Sequence, residues 1–164
     1  FKTMKIIFGL VVMAMSMLFT ANAMASTGVE SVDAVTSTAD YDGDYDGVIS
    51  NVTMNGKSYS DEDATFTIES NVLICDFPQI GKMPGTITVK LPISINEATG
   101  EITATPGTSA GFLTLKVGGK AILYLDSLTN AKVENGTLEF DMAVHGTYLG
   151  IIKFPASFHF KAPK

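Results

Sequence analysis

Hydrophobic and polar residues alternate with a period of two through most of this chain. In TLEFDMAV (137–144), Leu138, Phe140, Met142 and Val144 share one face, and Thr137, Glu139, Asp141 and Ala143 the other. ATFTIES (64–70) sets Phe66 and Ile68 against Thr65, Thr67 and Glu69. GFLTLKV (111–117) alternates Leu113, Leu115 and Val117 with Thr114 and Lys116. IKFPASFHF (152–160) alternates Ile152, Phe154, Ala156, Phe158 and Phe160 with Lys153, Ser157 and His159. Successive side chains of a strand point to opposite faces, so this pattern predicts half-buried antiparallel strands, one face in a core and one in water. Pro155 falls on the outward face, which suits an edge or a bulge.

The punctuation predicts hairpins. Asn55-Gly56 and Asn135-Gly136 supply the positive φ that tight turns need. Gly118-Gly119 and NEATG (96–100) are further turns, and GKMPG (81–85) and TPGTSAG (105–111) are looser connections. Strands are expected near 43–54, 64–70, 72–77, 85–95, 101–105, 111–117, 120–134 with a bend near Asp126, 137–145 and 148–161. No amphipathic helix interrupts them. The expected fold is all-β: an antiparallel, eight-stranded (eight or nine) up-and-down barrel, with a sandwich as the other way to close so many short strands.

An eight-stranded barrel has room inside for side chains or for one small ligand. The inward candidates are Phe66, Ile68, Leu113, Leu138, Phe140, Met142, Phe154, Phe158 and Phe160. A register slip of one residue would exchange Leu113 for Phe112.

The N-terminal stretch does not follow this pattern. Lys2 and Lys5 precede an apolar run from Ile6 to Phe19, and ANA and AMA end at Ala23 and Ala25. A basic start, an apolar centre and small-x-small sites form a secretory signal peptide over 1–25. The apolar run is short for a membrane span of about 20 residues. No cysteine follows to carry a lipid, so no stable membrane anchor is expected. The first residue is Phe1, which leaves Met4, or a residue before this stretch, as the start of translation. Residues 26–40, STGVESVDAVTSTAD, read as a flexible linker, and 41–164 as the barrel domain. The protein is expected to be exported, to the periplasm or outside the cell.

The formal net charge is −6. Nucleic acids and anionic membrane surfaces reward clustered Lys and Arg, so an acidic chain argues against both as partners. Cys75 is the one cysteine and sits in the apolar run NVLICDFP, as a buried small hydrophobe rather than a catalytic thiol.

GDYDGVISNVTMNG (43–56) resembles the opening strand of the calycin-like β-barrel proteins, small secreted proteins of Gram-negative bacteria in which G-x-Y-x-G leads into an alternating strand and a turn glycine. Gly43, Tyr45, Gly47 and Gly56 fill those places. IGKMPGTITVKLPI and NGTLEFDMAVHGTYLGIIKFPASFHF are similar to the family's middle and closing strands, so the resemblance covers about 40–162. It implies a lipocalin-like barrel, with Tyr45 near its base, and no established enzyme activity. The Trp of the lipocalin G-x-W is missing, since the chain has no Trp.

DYDGDYDGVIS (40–50) places Asp40, Asp42, Asp44 and Asp46 at every second position. From Asp42 the spacing matches a calcium loop of the EF-hand type, with Gly47 at the turn. The twelfth position is Thr53 instead of a carboxylate, and the residues after Gly47 alternate like a strand. A strand start is the reading preferred over a calcium site at 42–53, and no metal or other cofactor is expected. His145 and His159 lack the companions of a zinc site. Ser157 and His159 share a strand face without a triad, SDED (60–63) is a solubilising loop, and Asn51 and Asn135 open N-x-T sequons. No nucleophile elbow or phosphate loop is present, so no enzyme is expected. The expected function is a non-enzymatic binding protein holding a small hydrophobic ligand in the barrel. The alternative is a protein-interaction module, adhesin-like or protease-inhibitor-like, with a filled barrel and GKMPG and TPGTSAG as contact loops.

Overall fold

A computed structural model describes residues 41–83, 85–148 and 151–162; the expected signal peptide and linker lie outside them. Eleven strands follow in order: β1 (Gly43–Met54), β2 (Lys57–Tyr59), β3 (Glu62–Glu69), β4 (Val72–Asp76), β5 (Gly85–Pro92), β6 (Ser94–Ile95), β7 (Ile102–Thr103), β8 (Ser109–Leu115), β9 (Lys120–Glu134), β10 (Thr137–Tyr148) and β11 (Ile152–Ala162). The wall runs β11-β10-β9-β8-β5-β4-β3-β1, and β1 pairs with β11 to close it. This is an antiparallel eight-stranded barrel, with β2 added beside the end of β1 and a two-stranded β6–β7 hairpin apart from the wall. Closure of β1 on β11 removes the free outer edges of the sheet, although β3 and β4 pair only from Thr67 to Glu69 on β3.

Local chemistry makes the hairpins. Asn55 and Gly56 have φ of 51° and 76°, and Asn135 and Gly136 of 53° and 77°, the paired positive values of a type I′ turn. Ser70 and Asn71, at 50° and 63°, build the same turn without glycine. Four irregularities break the ladders, one of them between Ser109 and Gly111 where β8 meets β9. Asn51 (φ 50°) lies where the β1–β11 register shifts, and Asn130 (φ 52°) where β9 slips against β10. The bend expected near Asp126 is a bulge: Ala143 faces Ser127 and Val144 faces Leu125, leaving Asp126 unmatched.

Two sequence expectations are corrected. Residues 101–105 do not form a wall strand: β5 pairs directly with β8, and β7 has only Ile102 and Thr103. The intervening segment leaves the wall, turns at Asn96–Gly100 and returns beside β9 through Val133 N to Gly100 O at 2.9 Å. Ile93 and Ile102 are buried there, so the excursion covers one end of the barrel. Tyr41 donates to Glu97 O and Tyr45 to Tyr41 O at the same end. Burial pushes the Tyr45 hydroxyl pKa up, helped by Asp42 and Tyr41. The second correction concerns Val117, expected inward. It lies in the Lys116–Gly119 turn and is 83% exposed, because β8 ends at Leu115.

The strands bury their predicted faces. Phe66, Ile68, Leu113, Leu138, Phe140, Met142, Phe158 and Phe160 are buried, Phe154 is half-buried, and no polar side chain is buried among the described residues. Leu113, not Phe112, points inward; Phe112 lies outside under Lys120, whose Nζ is 4.2 Å from its ring centre. Gly47 is required by close approach: a Cβ there would collide with the Lys161 carbonyl oxygen on β11.

Candidate functional site

The excursion closes one end of the barrel. At the other end, β1 finishes at Met54, β8 at Leu115, and the chain leaves β4 through residues 77–83. These segments frame a cavity of about 300 Å³, lined by Met54, Asn55, Lys57, Tyr59, Lys82, Met83, Ile87, Leu113, Leu115 and Phe154. The type I′ turn at Asn55–Gly56 sends β2 back along β1, placing Lys57 and Tyr59 on the rim. Gly81, at φ 54°, lies flat on the Tyr59 ring, where a Cβ would be 2.6 Å from Cε1. Gln79 Nε2 donates to Gly81 O at 3.2 Å and holds the same bend. Phe154 forms the floor against the backbone of Gly146, where a Cβ would collide with its ring. The mouth is thus apolar below and carries two ammonium groups at its rim.

Below Phe154 little space remains. A cavity of about 30 Å³ lies among Val52, Phe77, Val89, Leu123, Met142, Phe158 and their neighbours, room for about one water at most. The aromatic side chains fill the interior: Phe66 lies 5.0 Å from Phe140, 4.6 Å from Phe160 and 6.0 Å from Phe158, between ring centres. Phe77 packs on Phe158 at 4.9 Å. Of the nine inward residues read from the sequence, Leu113 and Phe154 line the mouth; the other seven are packed in the core. Met54, Lys57, Tyr59, Lys82, Met83 and Ile87 were not singled out as site residues. Met54 and Ile87 follow the alternation, but Lys57 opens β2 and Lys82 stands in the connection after β4, and they reach one cavity only through the fold.

Of the four aspartates, Asp42, Asp44 and Asp46 occupy the outer wall, and Asp40 lies outside the described residues. Asp44 Oδ1 accepts from Thr67 Oγ1 and Asp46 Oδ1 from Thr65 Oγ1, both at 2.6 Å, and Asp42 Oδ2 accepts from Ser70 N at 3.3 Å. A calcium loop must curl so that its first and twelfth residues reach one ion. Residues 43–54 instead form one extended strand, which separates positions 42 and 53 by more than about 30 Å at about 3.3 Å per residue. The preferred strand reading therefore fits the geometry. Beside these acids the β3–β4 ladder stops at Thr67 and Ile74, leaving a shallow groove lined by Asp44, Asp46, Asp63, Thr65, Asp76 and Pro78 among others. Pro78 has no N–H with which to continue the ladder.

The remaining reactive groups are engaged elsewhere. His159 Nδ1 lies 2.8 Å from Asp141 Oδ1 and Nε2 3.3 Å from Glu139 Oε1. His145 Nδ1 lies 2.7 Å from Asp126 Oδ1, on the bulge. Ser157 Oγ is hydrogen-bonded to Thr53 Oγ1 at 2.7 Å. Cys75 is buried, and burial, with Asp76 beside it, pushes its thiol pKa up to about 12. Among the described residues no three His, Cys, Asp or Glu side chains are grouped to hold a metal. No family model, curated protein or solved structure matches this chain.

Proposed function

We propose that this chain is an exported, non-enzymatic binding protein, lipocalin-like in kind, that holds a small amphipathic anion at the mouth of its barrel. The carrying observation is the mouth itself: about 300 Å³ of space over Met54, Met83, Ile87, Leu113, Leu115 and Phe154, with Lys57 and Lys82 on the rim. Pockets that hold small molecules run from about 300 to 1,000 Å³ and are mostly apolar with a few placed polar groups. The volume suits a short chain rather than a bulky ring system. An apolar tail would displace water from the floor, and a carboxylate would meet the ammonium groups in a partly desolvated rim. The filled interior keeps the ligand at the mouth.

Dodecanoate and dodecanol, titrated into the protein and followed by NMR, test this. Dodecanoate should shift the methyl signals of Met54, Leu113 and Leu115 and bind more tightly than dodecanol. Lys57→Gln with Lys82→Gln should narrow that difference about five- to ten-fold, at roughly 0.5–0.7 kcal/mol per exposed charge contact. Shifts confined to other parts of the molecule, or none at millimolar ligand, would overturn the reading.

A further inference from the structure

The charged residues are sorted by the fold in a way that the net charge hides. The mouth end is built from four connecting stretches and the strand ends beside them, described over residues 55–61, 77–83, 116–120, 147–148 and 151–153. Together they contain Lys57, Lys82, Lys116, Lys120 and Lys153 against one acid, Asp61, with Glu62 and Asp76 at the adjoining strand ends. Among the described residues, the lysines in ion pairs are Lys132 and Lys161, so none of these five has an acidic partner there. The excursion end carries Asp42, Glu69, Glu97, Glu101 and Glu134 instead. The net charge of −6 argues against an anionic surface as partner, but it averages over two ends of opposite sign.

The same end exposes apolar side chains. Val117 and Ile151 are each 83% exposed, at the tips of the β8–β9 and β10–β11 connections. Ile122, 50% exposed, lies near the start of β9 below the first of them. Large aliphatic side chains this exposed at turn tips gain nothing from the fold. Turns are ordinarily polar, and exposed apolar groups rimmed by charge mark interaction sites.

We infer that the mouth end docks on an anionic lipid bilayer, with the five lysines at the headgroups and Val117 and Ile151 inserted just below them. Both halves of the surface match that occupant. Anionic leaflets attract basic groups, and side chains such as Val and Ile are stabilised at the acyl boundary. A second copy of this chain is disfavoured, because its mouth end carries the same five positive charges. Docked in this way, the mouth faces the membrane. The inference goes beyond the mouth's ligand and stands without it, since its test uses residues outside the cavity lining.

Sedimentation of the purified protein with vesicles tests the surface. Vesicles of phosphatidylcholine with about 30 mol% phosphatidylglycerol should carry it down, pure phosphatidylcholine should not, and about 0.5 M salt should release it. Lys116→Gln and Lys153→Gln should each weaken binding about five-fold, and Val117→Ser with Ile151→Ser should weaken it further. Lys132→Gln with Lys161→Gln, at the opposite end, should change nothing. The chain has no Trp, so Val117→Trp gives a single indole reporter whose emission should move to the blue on anionic vesicles. Equal binding to both lipids, no binding to either, or an unshifted emission from the Val117→Trp variant on vesicles that do sediment it would each overturn the inference.

Discussion

Single residues in this barrel are tuned by neighbours that are distant in sequence. Asp141 accepts a hydrogen bond from Asn130 Nδ2 at 2.9 Å and lies against His159. The Asn130 bond first, and then His159, hold its carboxyl below its ordinary pKa of 3.8. A depressed carboxyl stabilises the fold above its unfolded pKa, and that contribution is lost as pH falls through the lower folded value. Asn130→Ala should therefore raise the Asp141 pKa toward 3.8 and shift acid unfolding to higher pH. The carboxyl-carbon NMR titration of Asp141 in both proteins checks this. Asn130 was not legible as a partner, because its left-handed φ and the bulge it forms appear only once β9 meets β10.

At the scale of elements, the barrel depends on the seam where β1 meets β11. The register there shifts at Asn51, and Gly47 lets the two backbones come within a distance that a Cβ would fill. Gly47→Ala should destabilise the fold by about 1–3 kcal/mol, as overpacking does in a close-packed site, with the loss read from urea denaturation. Gly56→Ala, in a turn with open space around the missing Cβ, should cost less, about 1 kcal/mol, through φ alone. The sequence resemblance placed both glycines in one motif, but their physical reasons differ. Strand positions and inward faces were legible because alternation is local. The β6–β7 excursion was not, because IT and SI read like strands until a wall neighbour is sought for them and β8 already occupies that place beside β5.

At the scale of the whole domain, the described residues form a closed barrel with a solid interior and two unlike ends. Phe66, Phe140, Phe158 and Phe160 fill the space that an eight-stranded barrel can otherwise offer a ligand. Phe66→Ala should cost about 3–5 kcal/mol and open a void in that cluster, seen as a lowered urea midpoint and as new xenon binding. What the sequence determined by itself is the fold class, the strands and the side of each strand that faces the core, because these follow from neighbours two residues apart. The tertiary structure decided the filling of the interior, the place of the mouth and the gathering of five lysines at one end. Each of those depends on which strand ends meet in space, and the placing of Lys57 and Lys82 on one cavity, or of Val117 and Ile151 at one end of the barrel, has no local signature in the chain.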